Sequence, residues 1–191
     1  MSDFGFYFRL GWEHIMSWDA LDHILFVLVL AAIYLLRDWR QVLILITAFT
    51  IGHSITLVLS TFQLIEIPSE WVEFLIPCTI VFTAIANLFA KNRTARSIRL
   101  NYGLALFFGL IHGLGFANTL RFMLAQDGSF GWGLFGFNVG LEAGQLVIVL
   151  LILLLSALLV QVLKLPCRIW VIAVSAVAGS LALKMALERL P

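Results

Sequence analysis

Long apolar stretches alternate with short polar connections along the whole chain. The stretches predict helices near residues 20–36, 41–61, 70–90, 100–124, 138–163 and 168–188. Stretches of about 17–25 residues are long enough to cross a hydrocarbon core of about 30 Å as helices. Barrel strands would alternate apolar with polar side chains, and these stretches do not. We therefore predict an all-α polytopic membrane protein, with residues 1–191 forming one integral membrane domain built as a six-transmembrane-helix bundle.

The first 18 residues differ from the rest because aromatic side chains there are mixed with polar ones. Phe4, Phe6, Phe8 and Trp12 stand close to charged residues such as Glu13. This segment is too polar for a seventh span, and aromatic rings suit the headgroup region. An N-terminal interfacial segment is expected ahead of the first span.

The composition excludes an ordinary soluble domain. Hydrophobic residues make up 62% of the chain, charged residues 12%, and the mean hydropathy is +1.03. Soluble domains carry roughly twice that share of charge. The lipid bilayer is the expected surrounding partner, no nucleic-acid partner is expected, and a homo-oligomer is left open.

Basic residues are confined to three of the five connections between the predicted spans. They stand in the first, third and fifth: Arg37 and Arg40, then Lys91, Arg93, Arg96 and Arg99, then Lys164 and Arg168. The positive-inside rule places such connections in the cytoplasm. Both termini are then predicted to lie outside the cytoplasm.

Histidines interrupt apolar runs in the segments "TIGHSITL" and "GLIHGLGF". Counted from the predicted cytoplasmic helix ends, His23, His53 and His112 each lie about 12 or 13 residues in, roughly 18–20 Å by helical rise. Three helices therefore offer imidazoles at one depth. Histidines within a membrane mark an ion path or an ion-binding site. The structural alternative is that they only link helices through hydrogen bonds.

Carboxylates accompany these histidines. Asp22 directly precedes His23, and Glu142 lies in the fifth predicted span. Imidazole and carboxylate together suit Zn²⁺, Ni²⁺ or Co²⁺. We predict a divalent metal site from His23, His53, His112, Glu142 and Asp22, with Asp22 accepting a hydrogen bond from His53 or His112. His14 and Asp19, nearer the outer surface, are expected to line the access path.

Glycines cluster before and within the fifth predicted span, at Gly128, Gly131, Gly133, Gly136, Gly140 and Gly144. Small residues let two helix backbones approach closely in a membrane. This stretch is expected to be irregular or to approach another helix closely.

Five segments, "GWEHIMSWDALDHILFVLVL", "FTIGHSITL", "EFLIPCTI", "FFGLIHGLGFA" and "GLEAGQLVIVLL", resemble in order and spacing the bacterial HupE/UreJ-type membrane proteins. The resemblance implies a six-helix permease-like protein of the bacterial inner membrane, associated with nickel or cobalt supply. It also implies that the Asp22–His23 pair and the later histidines handle metal. The interval from His14 to that pair is longer than in the better-studied nickel carriers, which leaves the metal open among Ni, Co and Zn.

Two main functions fit these features. The first is transport of a divalent cation, which the carboxylates attract and the imidazoles bind. The second is an intramembrane zinc-dependent metallohydrolase, in which three histidines hold the ion and Asp22 or Glu142 acts as general base. No HExxH motif is present, although ligands from separate helices need not show one. A metal sensor or chaperone subunit is a third interpretation.

Overall fold

The computed structural model describes residues 3–89, 95–127 and 130–191, and all regular structure within them is helical. The seven α-helices are α1 Asp3–Met16, α2 Leu21–Ala31, α3 Trp39–Thr61, α4 Ser69–Phe89, α5 Ala95–Asp127, α6 Phe130–Ser156 and α7 Cys167–Glu188. Short 3-10 turns Trp18–Ala20 and Leu36–Asp38 lie before α2 and α3, and a π-helical segment, Ala157–Val162, extends α6. The all-α prediction is confirmed.

Five helical segments in the described part of the chain are long and apolar enough to cross a membrane. They are Leu36–Thr61, Ser69–Phe89, Arg99–Ala117, Gly131–Val162 and Cys167–Glu188. A sixth crossing arises if α1 and α2 count as one span, bent by 71° between Met16 and Leu21. The six-span pattern therefore holds only with a broken first span.

The N-terminal segment is a helix packed against the bundle. Tyr7 and Ile15 of α1 are fully buried, and α1 lies along α6. The described part of the expected interfacial segment, residues 1–18, is therefore mostly helix α1, which packs on α6 and is followed along the chain by α2. The mixture of aromatic and polar residues was interpreted as the pattern of an interfacial segment. In the structure this mixture arises because one face of α1 is apolar and contacts α6.

Helix ends differ from the predicted spans where apolar residues continue past a break. The first predicted span, residues 20–36, contains α2, which already ends at Ala31. The next turn is fixed by the Asp38 carboxylate, which accepts a hydrogen bond of 3.1 Å from the Leu35 N–H, and α3 begins at Trp39. Because residues 32–36, which follow the end of α2, are themselves apolar, hydropathy alone does not locate the break.

Glycines bring α1 and α6 into backbone contact. A methyl group added at Gly11 would meet the Phe137 carbonyl oxygen, and one at Gly140 would meet that of Phe8. The expectation that the glycine-rich stretch approaches another helix closely is confirmed, and the neighbouring helix is α1.

A second glycine-mediated pair joins α3 and α5. A methyl group at Gly52 would meet the Leu106 carbonyl oxygen, and one at Gly113 would meet that of His53. These contacts set His53 and His112, which adjoin Gly52 and Gly113 in sequence, on directly packed backbones. Elsewhere α4 packs against α7, where Asn87 and Ser175 are 3.4 Å apart.

Candidate metal centre

Three histidines from three helices meet inside the bundle. His14 of α1, His23 of α2 and His53 of α3 each offer one ring nitrogen, and these atoms all lie within 4.8 Å of one another. The His14 and His23 ring centroids are 5.0 Å apart. His53 is fully buried and His23 is 5% exposed. A group of three buried imidazoles could hold a metal ion.

Ring nitrogens of this cluster lack hydrogen-bond partners among the described residues. They are Nε2 of His14, Nε2 of His23 and both nitrogens of His53, and Nδ1 of the neighbouring His112 is also unpartnered. An unsatisfied buried polar atom costs about 1–3 kcal/mol. Such atoms are rare in proteins, so several in one place call for an explanation. Coordination of a metal ion would use these nitrogens and remove that penalty.

Asp22 orients His23. One carboxylate oxygen of Asp22 lies 2.8 Å from His23 Nδ1 and also accepts the His23 backbone N–H at 2.8 Å. Because a carboxylate only accepts, the ring proton sits on Nδ1 and the Nε2 lone pair is left for a metal. The second carboxylate oxygen is 3.3 Å from an Arg189 guanidinium nitrogen. The expected donors, His53 and His112, do not make this contact, since the short Asp22 side chain turns back onto its own helix.

Thr79 orients His112 in a comparable way, through a contact that sequence reasoning missed. The Thr79 hydroxyl donates to the Ile76 carbonyl at 2.7 Å and lies 3.0 Å from His112 Nε2. Its single proton is thereby used, so His112 Nε2–H must be the donor in the second contact. The unpartnered Nδ1 of His112 then carries a lone pair. A polar residue two positions after Pro77 in an apolar helix was the only signal in the sequence.

His112 lies beside the three-histidine group and is not part of it. Its ring centroid is 4.8 Å from that of His23 and edge-on to it. His23 is therefore adjacent to both His14 and His112. The sequence-derived set of His23, His53 and His112 differs from the structural group in that His14 occupies the place expected for His112.

Neither Asp22 nor Glu142 is hydrogen-bonded to an unpartnered histidine nitrogen. The Glu142 carboxylate accepts a hydrogen bond of 2.8 Å from the Thr47 hydroxyl of α3. Asp22 contacts only the Nδ1 side of His23, opposite the unpartnered Nε2. Asp19 lies in the 3-10 turn before α2, and its side chain is outside the described residues.

Aromatic rings enclose the histidines. The Phe116 ring centroid is 4.3 Å from that of His14, and the Phe137 ring stacks on His53 at 6.3 Å. Phe49 packs 5.1 Å from His112. Rings on several sides hold the imidazoles in place and keep the local dielectric low, which strengthens electrostatic interactions within the site.

A profile of the HupE / UreJ protein family matches residues 1–189, nearly the whole chain. The chain belongs to the HupE/UreJ family. No curated protein and no solved structure matches it. The family is implicated in nickel and cobalt uptake, and this member is a multi-pass membrane protein.

The histidine group is close to the size that one metal ion requires. Two nitrogens bound to a zinc ion at about 2.0–2.1 Å each are at most about 4.2 Å apart. The three nitrogens in this HupE/UreJ family member lie within 4.8 Å of one another. Small ring rotations would close the remaining gap. The donor set therefore fits a divalent ion with three imidazole ligands.

Proposed function

We propose that this HupE/UreJ family member transports a divalent transition-metal ion of the nickel or cobalt type through a site within the membrane. The ion is cargo, held by His14, His23 and His53. The observation that carries this proposal is the convergence of three imidazole nitrogens, buried and without hydrogen-bond partners, within 4.8 Å. Family membership independently supports metal uptake.

The chemistry of the donors favours a borderline metal. Imidazole suits nickel, cobalt and zinc, whereas soft ions prefer thiolates. Cys78 and Cys167 lie on α4 and α7, outside the histidine group. The three imidazoles are neutral ligands, and the Asp22 carboxylate is hydrogen-bonded to one of them. Together they bind a dication without enclosing it completely. An incomplete set suits transport because the ion must also leave.

His112 offers a next position for the ion. His23 is adjacent to both His14 and His112, with ring centroids 5.0 Å and 4.8 Å away. The unpartnered Nδ1 of His112 can take over a ligand role as the ion leaves His14 or His53. We assign Asp22 to orienting His23, and Glu142, His14 and Asp19 to the approach of the ion, with His14 also a ligand.

The metallohydrolase alternative needs a carboxylate free to activate water beside the metal. The Asp22 carboxylate is occupied by His23 and Arg189, and that of Glu142 by Thr47. Neither carboxylate belongs to the histidine group or is hydrogen-bonded to one of its unpartnered nitrogens. Transport is therefore the function that the geometry supports better.

The test is metal binding combined with uptake. Purified protein should bind about one Ni²⁺, Co²⁺ or Zn²⁺ per chain, and proteoliposomes should accumulate one of these ions. His53→Ala should abolish both, because it removes the fully buried ligand. Ser156→Ala, which removes another fully buried polar group whose hydroxyl bonds only within α6, should retain both. Binding without uptake would contradict transport and favour a sensor or chaperone role.

A further inference from the structure

A groove lies between α3 and α6 on the surface of the bundle, and it is lined by Ser54, the residue next to His53 in α3. Its volume is about 440 Å³, and it is open on one side. Its polar lining residues are Thr47, Thr50 and Ser54 of α3 with Asn138 and Glu142 of α6. Residues three, four or seven positions apart share one helix face, so each helix presents a polar stripe to the groove.

One polar atom in the lining of the groove makes no hydrogen bond of normal geometry. Asn138 donates its amide N–H to the Leu134 carbonyl at 2.9 Å, while its Oδ1 is buried and makes no hydrogen bond. The Asn138 side chain is close enough to the His53 ring to interact with it electrostatically, although no hydrogen bond of normal geometry joins the two. An amide oxygen is an acceptor that can replace a water in the shell of a cation. The polar stripe of α6 therefore lies next to the imidazole ring of His53, a proposed metal ligand.

The charge along the groove suits a cation. Its lining includes the carboxylate of Glu142 and no lysine or arginine. In contrast, the side of the site beside Asp22 carries the Arg189 guanidinium, 3.3 Å from the Asp22 carboxylate. A dication approaching past Arg189 would meet a fixed positive charge. A concave path with one negative charge attracts cations and raises their local concentration.

We infer that this groove is the aqueous passage through which a hydrated divalent cation reaches His53. Glu142 attracts the ion and Asn138 replaces a water ligand before the imidazoles bind. A carboxylate within the membrane is expensive unless it faces water or a partner, and a wet groove satisfies that requirement. The inference rests on the proposed metal transport, and it identifies a route distinct from the outer approach past His14 and Asp19.

The lateral rim of the groove allows two other occupants, which the test separates. Ile51, Ile55 and Phe135 are between 44% and 56% exposed there. A lipid chain would leave the groove dry, and a second copy of the chain would cover it. Both would exclude a charged reagent that dissolves only in water.

The experiment uses single cysteines in the full chain with Cys78 and Cys167 replaced by alanine. Ser54→Cys reports on the groove, and Val177→Cys, 62% exposed on α7, reports on a surface outside it. A membrane-impermeant cationic methanethiosulfonate should modify Ser54→Cys at least tenfold faster than Val177→Cys. Ni²⁺ should slow the reaction at position 54, whereas Mg²⁺ should not. Equal slow rates would overturn the inference, and oxidative cross-linking between two copies at position 54 would assign the groove to an oligomer interface.

The Glu142→Gln variant shows whether the inferred passage is wrong or the proposed transport function itself is wrong. Uptake at low Ni²⁺ should fall about tenfold because electrostatic attraction is lost. The number of ions bound at saturation should not change, since the imidazole nitrogens remain. Unchanged uptake would contradict the passage alone. Absence of metal binding in the unaltered protein would contradict the proposed function itself.

Discussion

The carboxylate of Asp22 accepts two hydrogen bonds of 2.8 Å from its neighbour His23, one from the backbone N–H and one from Nδ1. Successive residues on a helix point about 100° apart. A side chain as short as that of aspartate reaches its neighbour by turning back along the backbone. The two residues therefore act as one unit, in which Asp22 fixes the tautomer and His23 offers Nε2.

This arrangement predicts different effects for the two members of the pair. His23→Ala should abolish metal binding because it removes a ligand. Asp22→Asn should weaken metal affinity by about 10–100-fold, which is typical when the partner of a ligating histidine is lost. Isothermal titration with Ni²⁺, Co²⁺ and Zn²⁺ measures both. Glu188→Gln, which alters an exposed carboxylate paired with Lys184, is the control and should bind normally.

The contradicting results are equally specific. Complete loss of binding in a folded Asp22→Asn protein would make the carboxylate a direct ligand. Retained binding in His23→Ala would exclude the proposed site.

Thr79 is predicted to act as a positioning residue for His112. Thr79→Val leaves the buried His112 Nε2–H without an acceptor and should lower the free energy of unfolding by about 1–3 kcal/mol. Thr79→Ser keeps the hydroxyl and should restore both stability and the tautomer, which the ring ¹⁵N shifts of His112 report. Thr61→Val is the matched control, since the hydroxyl of Thr61 bonds only the Leu57 carbonyl of its own helix. Equal losses in the two valine variants, with unchanged ¹⁵N shifts, would contradict the role.

Glycine packing between α3 and α5 is predicted to set the position of His53. In Gly52→Ala the new methyl group meets the Leu106 carbonyl oxygen, so the helices must separate. Overpacking of this kind destabilises by about 1–3 kcal/mol, and metal affinity should fall with it. Gly103→Ala on the same α5 has nothing within 4 Å of its methyl group and should be neutral or slightly stabilising. Thermal unfolding in detergent and Ni²⁺ titration test the pair. Equal behaviour of the two variants would exclude close packing at Gly52.

The sequence allowed the membrane class and the helical architecture to be predicted because both follow from hydropathy and length. The histidines of α2, α3 and α5 could be placed at one depth by counting along helices, and the structure brings their rings close together. Counting failed for His14, since the 71° bend between α1 and α2 redirects its helix. That bend lies in a short segment where polar and apolar residues mix, and no periodic pattern marks it.

Contacts between different helices could also not be predicted from the sequence. Thr79 lies 33 residues before His112, on the preceding helix, so no spacing within one helix relates the two. The sequence placed Glu142 only within the fifth predicted span, and its bond to Thr47 and its place in the α3–α6 groove depend on how those helices cross. The glycine contacts explain why α1 packs on α6 and α3 on α5, yet glycine spacing alone does not name the partner helix.

The orientation of the bundle remains a prediction from charge. Basic connections are predicted to face the cytoplasm and Glu66 the outside, with both termini also outside. In a background without native cysteines, Arg37→Cys should be labelled by an impermeant reagent only in inside-out vesicles, and Glu66→Cys only in intact cells. The reverse pattern would invert the topology and the direction of the proposed route.

The central claim is that His14, His23 and His53 together bind one divalent metal ion. X-ray absorption spectroscopy of the purified protein loaded with one equivalent of Zn²⁺ or Ni²⁺ examines it most directly. The spectrum should show about three imidazole ligands, with nitrogens at about 2.0–2.1 Å in the zinc form. His14→Ala should reduce that number by one. A spectrum with oxygen ligands alone, or one that His14→Ala and His53→Ala leave unchanged, would contradict the claim.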